Sequence, residues 1–137
     1  MIALRVVLGI FFVCVGLPKA AGPELFAAQV AAYQLVPSSL VTLVALVIPR
    51  LEVLIGFCLA TGFLRRSAAL LAAALSLAFV VVTSLTLVRG LQIDCGCLPV
   101  ALPITWVHPV ANLALAGLAW LVLRQRRIPP GKVAKRR

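Results

Sequence analysis

Four long apolar runs, parted by charges, prolines and glycines, set the frame of this chain. The first goes from Ile2 to about Leu17, carries Arg5 near its start and closes at Pro18-Lys19, predicting a span over about residues 2–20. The second goes from Ser38 to Leu64, the third from Arg66 to Arg89, and the fourth from about Ile104 to Leu123. An α-helix rises 1.5 Å per residue, so about 20 apolar residues cross a hydrocarbon core of ~30 Å. The runs are continuous in Leu, Ala and Val rather than alternating, which sets a β-barrel aside. The pattern predicts an all-α chain, an integral membrane four-helix bundle with spans at about 2–20, 38–64, 66–89 and 104–123 in a single domain of residues 1–123. Residues 124–137 form a basic tail.

The connections add detail. Between the first two runs, Pro23-Glu24 opens a helix that would end before Pro37, moderately apolar and too short to span. It is expected to lie at the membrane surface with Phe26 and Tyr33 in the interface. Pro49 removes a backbone hydrogen bond inside the second run and predicts a kink. Gly90 is a natural stop for the third, and Pro99 with Pro103 forbids regular helix from Leu98 to Pro103. Trp106 and Trp120 stand about 21 Å apart on a helix, the spacing of aromatic anchors near opposite interfaces. The first run has a second reading as a cleaved signal peptide, with small residues at Ala20-Ala21-Gly22. Retention is the reading adopted, and the topology of the rest is the same under both.

Composition agrees with the pattern: 64% of the residues are hydrophobic and 12% charged, with a mean hydropathy of +1.17. That is too little polar surface to cover a soluble domain. The net charge of +10 suggests nucleic acid until its distribution is seen. Seven of the thirteen basic residues follow the last apolar run, from Arg124 to Arg137, as a topology signal that also meets anionic lipid. Nucleic acid is excluded as a partner; membrane lipid is expected as one. Together with Arg5, Arg65 and Arg66, that tail puts ten basic residues and no acid on one side. The other side holds Lys19 and Arg89 against Glu24 and Asp94. The positive-inside rule then predicts a multi-pass protein of the bacterial inner membrane, both termini cytoplasmic and Cys95 and Cys97 extracytoplasmic.

Candidate chemistry centres on Asp94-Cys95-Gly96-Cys97, just beyond the third span. Residues two apart come within disulfide range, and Gly96 eases so tight a ring. Three readings stay open: a redox pair exchanging with a partner thiol protein, a static disulfide, and metal capture by Cys95, Cys97 and His108. The redox pair leads, and no metal is assigned. His108, the sole histidine, would lower a thiol pKa as an imidazolium, or serve as an ordinary residue before Pro109. Arg50 and Glu52 are costly in hydrocarbon and each needs a partner or a wet cavity. Two positions apart they face different ways, and Lys19 is the plausible mate for Glu52. Cys14 and Cys58 read as small hydrophobes; Gly9, Gly16, Gly56 and Gly62 read as close-packing points. An electron-carrying quinone would suit a redox pair, though no residue demonstrates one.

Several stretches together resemble the MauE/DoxX-like family of small four-helix bacterial membrane proteins. They are Leu4-Arg5 through Gly9 and Phe12; Gly16-Leu17-Pro18-Lys19; Phe26 to Tyr33 with Leu35-Val36-Pro37; Ile48-Pro49-Arg50-Leu51-Glu52 with Gly56; Gly62; and Arg89-Gly90 with Asp94-Cys95-Gly96-Cys97. Where the family's cysteine motif usually continues with an aromatic residue and Gly, this chain has Leu98-Pro99. The resemblance implies a membrane accessory protein for extracytoplasmic thiol–disulfide chemistry. Its partner would be a periplasmic thioredoxin-like protein, and its task the maturation of a disulfide-rich, methylamine-dehydrogenase-type enzyme. The family's cysteine pair maps onto Cys95 and Cys97 and its buried acid onto Glu52. Two alternatives remain: a non-catalytic scaffold, and a small-molecule or ion carrier using Arg50 and Glu52.

Overall fold

The computed structural model describes residues 2–96 and 101–125. Cys97, Pro99 and the tail beyond Gln125 lie outside the described residues. Among the described residues five helices follow in order: α1 (Ile2–Ala21), α2 (Pro23–Ala32), α3 (Ser38–Thr61), α4 (Arg65–Val88) and α5 (Val107–Arg124). All but α2 are long and apolar enough to cross a membrane, which makes this a multi-pass membrane protein. Its outward face carries Phe57, Val81, Leu113 and Trp120, an oily exterior that suits lipid rather than water.

Apolar surface gains little by leaving lipid, so helices in a bilayer associate through close contact of small residues. The α1–α3 seam follows this rule. A Cβ at Gly9 would stand 2.6 Å from the Gly56 carbonyl oxygen and 2.6 Å from the Ala60 nitrogen, so the two backbones touch. On α4, buried Ala68, Ala69, Ala72 and Ala73 share one helix face, opposite Ala116 and Ala119 of α5. Leu8, Phe12, Ile55, Leu59 and Val122 fill the centre. Thr83 and Thr86 are fully buried on α4, their hydroxyls donating to the carbonyls of Phe79 (2.6 Å) and Val82 (2.8 Å) on the same helix.

Two helix ends differ from those the apolar pattern predicts, while α1 matches its expected span: it runs through Pro18 to Ala21, and the Pro18 carbonyl accepts from the Gly22 amide at 3.0 Å. Proline in a last turn leaves one carbonyl without its helical partner and the helix continues. α3 stops at Thr61, short of Leu64, because Gly62 turns left-handed (φ +83°) and its amide closes on the Cys58 carbonyl. α5 starts at Val107, not Ile104. There the backbone is already engaged: Cys95 donates to the Leu102 carbonyl and Ile104 to the Ile93 carbonyl, each at 2.9 Å.

Phe26 and Tyr33 also depart from expectation, being buried rather than set in an interface. On α2, Phe26 and Val30 share a stripe that packs on Val44, Ala45 and Ile48 of α3. Tyr33, one turn on, meets Cys95 and Ile104.

Candidate functional site

Two polar sites emerge, one in the loop after α4 and one inside the bundle. The loop begins at Gly90 (φ +70°). Ile93 to Cys95 then lies antiparallel to Leu102 to Ile104, bridged at Asp94 and Pro103. Cys95 is buried among Tyr33, Ile104, Val82, Leu87 and Ile93. The Tyr33 hydroxyl donates to the Cys95 carbonyl, and Arg89 Nη1 donates to the Tyr33 carbonyl at 3.2 Å. Arg89, expected at the outer end of its helix, thus braces the tyrosine that holds the cysteine backbone. Gly96 is favoured by its left-handed backbone, φ +67°, and a Cβ there would stand 2.9 Å from Gln29 Oε1. Cys95 also borders an apolar crevice of about 150 Å³ walled by Phe26, Val30, Ile48, Phe79 and Val82.

The second site joins four helices around one ammonium. Lys19, in the last turn of α1, lies 3.2 Å and 3.1 Å from the two carboxylate oxygens of Glu52 on α3. Both side chains are buried, at 6% and 3% exposure. The ammonium also lies over the rings of Phe26 (5.3 Å, from α2) and Phe79 (5.5 Å, from α4). Gly16 makes room, since a Cβ there would be 2.8 Å from Glu52 Cβ. Beside the pair is a cavity of about 190 Å³ whose walls include Phe11, Phe12, Ser76, His108 and Asn112.

His108 therefore lines the cavity of the ion pair, not the crevice beside Cys95; Leu75 and Phe79 line both. Its Nδ1 lies 3.0 Å from the Thr105 amide nitrogen and 3.1 Å from the Thr105 carbonyl oxygen, so the ring is held by the turn that precedes α5. Asn112, one turn along, donates to the His108 carbonyl at 3.0 Å. Arg50 is brought to neither site: it is exposed, and its Nη1 donates to the Leu46 carbonyl at 2.6 Å. Cys14 faces outward, and Cys58 belongs to the core. Among the described residues no group of three His, Cys, Asp or Glu side chains is placed to hold a metal.

Sequence reasoning missed Tyr33, Gln29, Phe79, Ser76 and Asn112 as parts of these sites. The His108/Asn112 pair had a signal, being polar residues four apart on an otherwise apolar helix. Tyr33 and Gln29 had none, because their roles depend on a loop more than sixty positions away.

A family model described as "Methylamine utilisation protein MauE" matches residues 1–125. The chain is 37% identical over 120 residues to the methylamine utilization protein MauE of Paracoccus denitrificans, covering 85% of this chain and 64% of that one. With the protein of the same name from Methylophilus methylotrophus it shares 36% identity over 110 residues, 77% of this chain and 58% of that one. The chain thus spans less than two thirds of the length of these curated relatives. No solved structure matches it significantly.

Proposed function

The chain belongs to the MauE family, and from that premise we propose that it is a membrane accessory protein of extracytoplasmic thiol–disulfide chemistry, with Cys95 and Cys97 as its redox pair. The observation that carries this reading is the build of the loop. Tyr33 grips the Cys95 carbonyl and Gly96 turns the chain immediately afterwards, so the position of the cysteine is set through its main chain. The partner is a periplasmic thioredoxin-like protein. The end product is a methylamine-dehydrogenase-type enzyme, in line with the methylamine utilization for which both relatives are named. The helix ends support the orientation: Arg5, Arg65, Arg66 and Arg124 gather at the end of the bundle opposite the loop, as the positive-inside rule expects of a cytoplasmic end.

Cys95 is buried, and this reading therefore has the partner attack at Cys97. A partner thiolate attacks Cys97 of the oxidised pair; the Cys95–Cys97 bond breaks, Cys95 leaves as thiolate, and a mixed disulfide forms. The partner's second thiolate then attacks its own sulfur in that bond and releases Cys97. The partner has lost two electrons and two thiol protons, and the pair has gained them. The same steps in reverse reduce a partner disulfide, with a second thiol protein or a membrane quinone resetting the pair.

Acid-quenching of intact cells followed by alkylation with a mass-tagged maleimide tests this. The expected result is a wild-type pair that shifts with mild reductant, and a trapped higher-mass adduct in Cys95→Ser but not in Cys97→Ser. A pair that stays oxidised under mild reductant, with no adduct in either variant, would leave the loop cysteines a structural clip.

The carrier reading gains from one observation, the cavity in which His108, Ser76 and Asn112 face the Lys19–Glu52 pair. It then runs through Glu52 without Arg50, and requires uptake of a small solute to fail in Glu52→Gln while the double Cys95→Ser/Cys97→Ser variant transports normally.

A further inference from the structure

At the end of the bundle away from the cysteine loop, three arginines converge where no acid answers them. Arg5 of α1 folds its guanidinium across Gly62, in the space any larger side chain there would fill. Its Nε is buried and, among the described residues, without a hydrogen-bond partner. Arg65 and Arg66 form the first two positions of α4, and Arg65 Nη2 donates to the Gln125 carbonyl at 2.9 Å. Arg5, Arg65, Arg66, Gly62 and Leu64 line a half-open cavity of about 230 Å³ with mostly polar walls.

The electrostatics of this end are unbalanced. A helix N-terminus carries partial positive charge, so cations in its first turn are unfavourable. α4 has two there, no acid in that turn, and no capping side chain from Leu64. The chain's three acids, Glu24, Glu52 and Asp94, lie elsewhere: Glu24 opens α2, Asp94 is in the loop, and Glu52 is paired with Lys19. The positive-inside rule accounts for arginines at this end. It does not account for their meeting around one cavity. An anion in that cavity would accept from Arg5 and Arg66 and from the uncapped amides of α4, as phosphates do at helix N-termini.

We propose that this cavity is a phosphate site, taking either the headgroup of an anionic phospholipid or a soluble phosphate. The test uses the full chain, delipidated in neutral detergent, with tryptophan fluorescence following thermal unfolding. Phosphatidylglycerol, phosphatidylcholine and inorganic phosphate are added at constant ionic strength. Phosphatidylglycerol is expected to raise Tm by about 5 °C more than phosphatidylcholine does. Arg66→Gln should lose about half of that shift, and Arg5→Gln/Arg66→Gln all of it. Arg66 is exposed, so its variant is expected to fold; native mass spectrometry of wild type, counting retained phosphatidylglycerol, gives a readout independent of any variant. An equal shift from inorganic phosphate alone, lost in the same variants, supports the soluble source. Equal shifts from both lipids, or a phosphatidylglycerol shift unchanged in both variants, would overturn the site.

Discussion

The cysteine loop and the Lys19–Glu52 pair hold their functional groups in opposite ways. In the loop the grip falls on main chain: Tyr33 on the Cys95 carbonyl, Leu102 and Ile93 through backbone bonds, Gly96 through its turn. Within the bundle the grip is side chain to side chain, ammonium on carboxylate between two phenyl rings. A residue that must change covalent partners is best positioned through its backbone, because the clamp then survives every state of the sulfur. A buried charge has no such freedom and must be answered where it stands. Under the exchange chemistry proposed above, the loop would turn over while the pair stays fixed.

Removing one half of the pair is the strongest way to break that contrast. Glu52→Ala leaves a buried lysine unanswered and should cost about 3–5 kcal/mol in an SDS-unfolding titration. Lys19→Met/Glu52→Leu should recover most of the loss, since apolar groups of similar volume replace the charges. A double variant as unstable as the single one would mean that the pair does more than neutralise itself. Next in size is the glycine seam beside it: Gly9→Val drives a side chain into the α3 backbone and should cost about 1–3 kcal/mol in the same titration.

The loop should respond differently, in reactivity more than in stability. Tyr33→Phe removes one hydrogen bond, about 1 kcal/mol, and should speed maleimide labelling of reduced Cys95 about fivefold with the global unfolding midpoint almost unmoved. A large fall in global stability would show that loop and bundle unfold as one unit. Smallest is Arg50→Gln, within about 0.5 kcal/mol of wild type, because among the described residues that exposed side chain bonds only to its own helix.

The sequence displayed the helices well and their partners poorly. Continuous apolar runs mark spans by length alone, so α1, α3, α4 and α5 were legible, with end errors where Gly62 or the Ile93–Ile104 pairing overrode the apolar count. The Lys19–Glu52 contact was within reach because few charges exist to pair. The position of His108 was not. Its neighbours in sequence suggested the thiols, and only the packing of α5 against α1 and α4 turns it toward Glu52. Phe26 and Tyr33 were misjudged for a related reason: an aromatic at a helix end serves an interface or a core equally well, and here α3 and the loop supplied the core.

The buried pair also bears on how the protein is made. Lys19 leaves the ribosome before Glu52 does, and α1 must be placed while its ammonium has no counter-charge. Two residues from the helix end, it can reach the headgroup layer in the meantime. Arrival of α3 brings the carboxylate, and Phe26 and Phe79 close over the ammonium only after α2 and α4 take their places. The ion pair can therefore close only once α1 and α3 lie side by side. A chain truncated before Glu52 would leave its first helix riding higher in the membrane than the complete protein does.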